Sequence, residues 1–213
     1  MVAELVLTTT ELEASEPYTL APRRFTVEEY ELLAKAGVLA DDEKVELIEG
    51  ELIQMSPINL SHVLAVNRLN FLLAMHLAQR AIVSVQNPVR LAERTMPQPD
   101  IALWRRQGDG YRSGWPGPED ILLIIEVADS SVEYDRRAKS PLYARAGIQE
   151  YWIVNLPQNV LEVYRQPREG SYRSILRLMV GDTVDLLAFP DVTLSVGAIL
   201  GTEPLAGETA EEG

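Results

Sequence analysis

Two acidic residues interrupt apolar stretches of the chain that otherwise lack charge. Asp100 stands immediately before the apolar residues 101–104, and Glu126 follows the apolar residues 121–125. If these stretches are neighbouring strands joined by the intervening loop, the two carboxylates converge at one edge of a sheet. Carboxylates that are buried together repel each other unless a proton or a cation is present, and magnesium prefers oxygen ligands. The pattern allows a metal site, although a turn capped by Asp100 and an arginine paired with Glu126 would explain the same residues.

Lys139 offers a positive charge on the predicted helix that follows Glu126. Asp135 lies four residues before Lys139, so the two share a helix face and could form an ordinary surface ion pair. In the alternative interpretation Lys139 points into the cleft. There it would orient an attacking water or neutralise charge on a phosphoryl oxygen.

Hydrophobic periodicity and turn residues predict the elements that must position these side chains. Thr26 and Glu29 match a capping box at the start of a helix that ends at Gly37. Residues 60–79 repeat apolar positions every three or four residues, which predicts a long helix. The remaining predictions are a hairpin at 44–55, strands at 81–87, 88–94, 99–105, 121–128 and 150–156, a helix at 135–146 ending at Gly147, and a hairpin of 160–166 with 171–179.

This order of elements predicts an α/β or α+β fold, in which helices flank a mixed central β-sheet and a C-terminal β-hairpin is added. The length of 213 residues suits one domain. We predict a loose N-terminal arm at residues 1–21, a single domain at 22–200, and a disordered acidic tail at 201–213.

Composition limits the possible functions. The chain has no cysteine, which excludes disulfides, thiol nucleophiles and zinc sites built on sulfur. No apolar stretch approaches the roughly 18 residues of a membrane span, and the acidic start is unlike a signal peptide, so we expect a cytoplasmic protein with no membrane partner. The net charge of −13 disfavours tight, non-specific DNA binding. Residues 1–16 and 201–213 hold eight of the glutamates and no basic residue, which leaves −5 for the rest.

Several motifs together resemble one known family. They are Pro99-Asp100, Glu126-Val127-Ala128, the segments 135–139 and 143–154, and, upstream, 24–26, 45–52, 56–57 and His62. In these residues the chain resembles the Uma-type restriction endonucleases of the PD-(D/E)XK nuclease superfamily, and the similarity extends over about residues 22–200.

The resemblance implies a restriction-endonuclease-like core and a set of metal ligands. Asp100 and Glu126 would bind Mg²⁺ or Mn²⁺, and the backbone carbonyl of Val127 would complete the set. The superfamily usually has a lysine two residues after the glutamate, where this chain has Ala128. In Uma-type sequences a lysine on the following helix takes its place, and Lys139 stands at that position.

The resemblance also suggests further site residues. Glu46 would be the upstream acid, with Glu49 and Glu51 as rivals that spacing cannot separate, and a solvated hairpin would explain all three. His62, Gln98 and Tyr143 are candidate supporting residues. His62 could instead have a capping or structural role, Gln98 could contact phosphate, and Tyr143 shares the helix face of Lys139 and could orient it.

These residues predict a Mg²⁺- or Mn²⁺-dependent endonuclease that hydrolyses DNA phosphodiester bonds. One alternative is a catalytically vestigial module on a nuclease fold that binds nucleic acid or protein. Another is metal-dependent hydrolysis of a different phosphoester. Nucleases of this kind often act as dimers, so a homodimer is expected by analogy.

Overall fold

A six-stranded mixed sheet forms the centre of the computed structural model, which describes residues 21–40, 43–55, 57 and 59–204. The strands are β1 (Val45–Ile48), β2 (Glu51–Gln54), β3 (Ala81–Val85), β4 (Ile101–Arg105), β5 (Ile121–Ala128), β6 (Glu150–Asn155), β7 (Val160–Arg168), β8 (Ser171–Leu178), β9 (Thr183–Leu186) and β10 (Phe189–Ser195). The helices are α1 (Val27–Lys35), α2 (Leu60–Leu77), α3 (Val132–Tyr134), α4 (Ser140–Arg145) and α5 (Val196–Leu200), with a 3₁₀ turn at Pro118–Asp120 and a π-helical turn at Asp135–Lys139. The central sheet has the order β3-β4-β5-β6-β7-β8, and β5 and β6 are its parallel pair.

Strand β5 lies in the middle of this sheet and is covered on both faces, which explains its continuous apolar sequence. Leu123, Ile125 and Val127 belong to the core that α2 and α5 cover. Ile124 and Ala128 belong to the opposite core, which includes residues of α4. Glu126 alternates with the first group, so its side chain emerges on the α4 face.

The helical segment 132–145 is interrupted by the π-helical turn. The amide of Ser140 donates to the carbonyl of Asp135, five residues earlier. Pro141 has no amide to donate to the carbonyl of Arg137, and its ring would clash with that carbonyl in a regular α-helix. A π-helical turn accommodates the proline. The predicted helix is therefore present, but its first part does not follow α-helical spacing.

Most of the predicted elements are confirmed. Thr26 and Glu29 form the expected capping box at α1. The hairpin at 44–55 turns at Glu49 and Gly50, which both have positive φ, as a tight two-residue hairpin turn requires.

The strand predicted at 88–94 is wrong. This segment folds back on itself, with the amide of Leu91 donating to Thr95 and the amide of Val89 donating to Pro97. Val89 and Leu91 are buried, so their alternation indicates core packing and not membership of a sheet.

The predicted C-terminal hairpin is present as β7 and β8, and it extends the central sheet. A second hairpin, β9 with β10, and the short helix α5 follow it and were not predicted. Residues 1–20 and 205–213, which carry most of the predicted arm and tail, lie outside the described residues. None of the helices in the described part of the chain has the length and apolarity needed to cross a membrane.

Candidate active site

Asp100 and Glu126 are brought together by strand pairing. Strands β4 and β5 are antiparallel with Ile101 opposite Ile125, so the residue before β4 faces the end of β5. The amide of Asp100 donates to Oε2 of Glu126 at 3.3 Å. The amide of Val127 donates to Oδ2 of Asp100 at 2.9 Å. Both acids are buried, so the convergence predicted from the sequence is present.

Lys139 points inward from the π-helical turn, and only 3% of its surface is exposed. Its Nζ donates to Oε2 of Glu46 at 2.7 Å and to Oε1 of Glu126 at 3.1 Å. The carboxylate of Asp135 instead accepts a hydrogen bond of 2.7 Å from Ser131. The interpretation of Lys139 as a surface ion pair with Asp135 is therefore wrong.

Of the three upstream acids, Glu46 is the one that reaches this group. Glu46 is 2% exposed, and its Oε2 also accepts a hydrogen bond of 3.1 Å from the amide of Gln98. Glu49 and Glu51 are exposed and form ion pairs with Arg145 and Arg24. Their distance from the turn separates them: Glu49 lies in the turn of the β1–β2 hairpin, and Glu51 directly follows it on the same face as Glu46.

His62 lies against the first carboxylate. Its Nε2 is 2.9 Å from Oδ1 of Asp100, and its amide donates to the helix-capping side chain of Asn59. Gln86, which the sequence analysis missed, donates to the same Oδ1 at 3.3 Å. Gln86 has a φ of 51° at the end of β3, a conformation that nothing in its sequence neighbourhood signals.

Tyr143 is fully buried on α4, and its hydroxyl donates to Oε1 of Glu126 at 2.7 Å. The side chain was expected to orient Lys139. It contacts the carboxylate that also accepts a hydrogen bond from Lys139, so any influence on the lysine is indirect.

Asp135 is a fourth buried acid of this site, and it was not predicted from the sequence. It stands at the start of the π-helical turn and lines the same cavity as Glu126 and Lys139. Burial raises the pKa of Asp135 to about 6, and its hydrogen bond from Ser131 opposes the shift. Pro141 was the available signal, because it disturbs the helix spacing that made Asp135 look like a surface residue.

The buried charges perturb one another strongly. Burial raises the pKa of Glu126 to about 8; the Lys139 ammonium opposes this shift, and the neighbouring carboxylates add to it. Burial acts to lower the pKa of Lys139, but its two carboxylate partners outweigh burial and raise it. The lysine is thus held as a cation.

Neighbouring groups also shift the pKa of His62. The hydrogen bond with Asp100 is the main cause that raises the pKa of His62, while burial opposes the shift. A hydrogen bond with the backbone of Val127 also raises it.

Apart from Tyr143, the groups that meet around Asp100 and Glu126 line one cavity of about 440 Å³. The predicted site residues that line it are Glu46, His62, Gln98, Asp100, Glu126, Val127 and Lys139. Lys44, Ile53, Met55, Asp129 and Tyr134 contribute to its wall. Tyr143 lies behind Glu126 and supports it from the core.

The donor chemistry of this cavity fits a divalent cation with oxygen ligands. Asp100 and Glu126 provide carboxylates, and their burial side by side disfavours the charged forms unless a cation is present. Among the described residues, no three side chains of His, Cys, Asp or Glu already surround a single point at metal-binding distance.

A mixed sheet that presents two strand-end carboxylates beside a buried lysine defines a restriction-endonuclease-like fold. The chain belongs to the Uma2 family, described as "Putative restriction endonuclease", which matches residues 27–197. The resemblance noted from the motifs is confirmed, and family membership indicates a nuclease.

The solved structures that are similar to the chain include two nucleases. A "putative nuclease belonging to DUF820" from Anabaena variabilis ATCC 29413 has a TM-score of 0.67 and 16% identity, covering 83% of this chain and 98% of that one. The type IIG restriction endonuclease BpuSI has a TM-score of 0.41 and 15% identity, covering 70% of this chain and 17% of BpuSI. No curated protein matches the chain. The first similarity supports the fold described above.

Proposed function

We propose that the protein is a Mg²⁺- or Mn²⁺-dependent endonuclease that hydrolyses phosphodiester bonds in DNA. The observation that carries the proposal is the meeting of Glu46, Asp100, Glu126 and Lys139 in one cavity, although they come from four separate segments. The buried ammonium of Lys139, beside paired carboxylates, suits a reaction in which negative charge develops on a phosphate.

Asp100, Glu126 and the carbonyl of Val127 would hold the metal ion. A bound divalent cation would polarise the phosphate and lower the pKa of an attacking water. Lys139 neutralises charge on the phosphoryl oxygens, because its two carboxylate partners keep it protonated. His62 and Gln86 orient Asp100 from one side.

Glu46 and Tyr143 position the other reacting groups. Glu46 holds the ammonium of Lys139 in the cavity, and the amide of Gln98 fixes Glu46 in turn. Tyr143 donates to Glu126 from the core and so restricts the orientation of this carboxylate. Such supporting contacts preorganise ligands before a substrate arrives.

The direct test is a cleavage assay with purified protein on supercoiled plasmid, linear duplex and single-stranded DNA. Each substrate is incubated with Mg²⁺, with Mn²⁺ or with EDTA. We expect metal-dependent cleavage that disappears in Asp100→Ala and Lys139→Ala but persists in the control Lys35→Ala, which alters an exposed lysine. A wild-type protein that cleaves none of the substrates with either metal would contradict the proposal.

The alternative is a catalytically vestigial nuclease-fold module that binds nucleic acid or protein. The net charge of −13 favours the protein-binding form of this module, because phosphates are bound by positive surface. Calorimetric titration with Mn²⁺ separates the two: the vestigial module predicts no binding, or binding that Asp100→Ala leaves unchanged. Cleavage of a small phosphodiester but not of DNA would instead point to hydrolysis of a different phosphoester.

We also propose a homodimer and a cytoplasmic location, with the working domain at residues 22–200. An exposed apolar stripe on α2 supports the homodimer. The stripe consists of Leu60, Leu64, Phe71 and Met75, and this spacing places all four on one helix face. The absence of cysteine is compatible with the cytoplasm.

A further inference from the structure

The basic residues of the described chain are largely committed to acidic partners. Eleven arginines form ion pairs with carboxylates: Arg23, Arg24, Arg80, Arg90, Arg136, Arg137, Arg145, Arg165, Arg168, Arg173 and Arg177. Lys44 and Lys139 line the cavity, and Lys139 is held by two carboxylates. A protein that binds duplex DNA tightly typically neutralises about 6–10 phosphates. Such a set of basic groups is not found around this cavity in the described residues.

The size of the cavity also argues against a bound DNA duplex. About 440 Å³ lies at the lower end of the range of small-ligand sites. Asp129 and Asp135 lie in the wall of the same cavity as Lys139. Their negative charges disfavour the phosphates of a second DNA strand. The space and the charge suit one nucleotide, with its phosphate at Lys139.

Tyr134 supplies a surface on which a base could stack. It lies directly before Asp135, lines the cavity and is 38% exposed. The hydroxyl of Tyr134 has no hydrogen-bond partner among the described residues. No hydrogen bond of this hydroxyl therefore holds the ring in place. Ile53 and Met55 add apolar wall to the same cavity. Stacking of a base on an aromatic ring contributes about 1–3 kcal/mol and does not require a particular base.

We infer that the cavity takes one unpaired nucleotide of a DNA strand, with its base stacked on Tyr134 and its phosphate beside Lys139. The substrate class is then single-stranded DNA, or a duplex with an unpaired segment at the point of cleavage. This inference rests on the proposed nuclease function, since it names the substrate of the same site.

The test is fluorescence anisotropy with a labelled single-stranded oligonucleotide and with the blunt duplex of the same sequence. EDTA is present, so binding is measured without hydrolysis. We expect the single strand to bind at least about tenfold more tightly than the duplex, and Tyr134→Ala to weaken single-strand binding by about tenfold or more. Tyr134→Phe keeps the ring and should bind within about twofold of the wild type.

Trp115→Ala is the matched control, because Trp115 is an exposed aromatic residue that bonds to Glu31 outside the cavity. It should bind the single strand as the wild type does. Duplex binding as tight as single-strand binding would overturn the inference, as would undetectable single-strand binding or equal losses in Tyr134→Ala and Trp115→Ala. Single-strand binding that depends on Tyr134 without cleavage would uphold the inference and contradict the endonuclease.

Discussion

The Nζ atom of Lys139 lies 2.7 Å from Oε2 of Glu46, although the two residues are separated by 93 positions in the chain. The same nitrogen is 3.1 Å from Glu126. A lysine between two buried carboxylates is a fixed positive charge and a poor proton acceptor. In the proposed reaction Lys139 neutralises negative charge on the phosphoryl oxygens, and it does not remove a proton from water.

Lys139→Met should abolish cleavage and also destabilise the protein. Removing one partner from a buried ion pair leaves an uncompensated charge and typically costs about 3–5 kcal/mol. Urea denaturation of the variant and the wild type without metal measures the change in the free energy of unfolding. The double variant Glu46→Gln with Lys139→Met should recover part of the stability but none of the cleavage. Cleavage by Lys139→Met at the wild-type rate would exclude the proposed role of the lysine.

Asp100→Asn should weaken metal binding. A ligand that binds the folded state at 100 times its Kd stabilises it by about 2.7 kcal/mol, so Mn²⁺ should raise the Tm of the wild type. The rise at the same Mn²⁺ concentration should be much smaller in Asp100→Asn. Asp191→Asn, which alters an exposed carboxylate paired with Arg80, should respond as the wild type does. Equal Tm increases in all three proteins would argue against Asp100 as a ligand.

Glu126→Gln should change how stability depends on pH. The pKa of Glu126 is raised to about 8 in the folded state, whereas the unfolded carboxyl ionises near 4.3. The folded state therefore holds a proton that the unfolded state releases, and wild-type stability without metal falls as pH rises through this window. The amide of the substituted side chain cannot ionise, so the variant should lose less stability between pH 5 and pH 8. Guanidinium denaturation at both values measures this, and identical losses would contradict the raised pKa.

Tyr143→Phe should separate a positioning role from a purely structural one. Loss of the hydroxyl removes a hydrogen bond to Glu126, which typically costs about 1 kcal/mol of stability. We expect kcat to fall and KM to change little, because the carboxylate is less well oriented. Tyr172→Phe is the control, since the Tyr172 hydroxyl donates at 2.9 Å to the backbone of Ile148, away from the cavity. If both variants cleave equally well, Tyr143 only stabilises the fold.

Phe71→Glu should disrupt the proposed homodimer, because it places a charge in the middle of the apolar stripe on α2. Light scattering during size-exclusion chromatography should give a dimer mass for the wild type and a monomer mass for the variant. Leu32→Glu is the control, since Leu32 is exposed on α1 and lies outside the stripe. A wild type that is monomeric at micromolar concentration would refute the homodimer.

The features that could be predicted from the sequence are those that depend on short stretches of chain. Thr26 and Glu29 satisfy each other's backbone amides within one turn, so the start of α1 is visible in four residues. Asp100 and Glu126 stand out because each interrupts an apolar strand, and antiparallel pairing of consecutive strands is enough to bring them together.

The features that short stretches of chain do not reveal depend on distant contacts. The carboxylate partners that bury Lys139 come from β1 and β5, and no pattern near Lys139 encodes them. The side chain of Gln86 reaches Asp100 because of a left-handed backbone conformation. The strand predicted at 88–94 fails for a related reason, since burial of Val89 and Leu91 imitates the alternation of a sheet.

The π-helical turn at Asp135–Lys139 has a consequence for how the family can vary. Such a turn is geometrically equivalent to one extra residue inserted into an α-helix. Deleting one residue between Tyr134 and Lys139 would restore α-helical spacing, in which the ring of Pro141 clashes with the carbonyl four residues before it. The extra residue and the proline are therefore coupled, and a relative that is one residue shorter in this segment would have to replace the proline to keep a continuous helix.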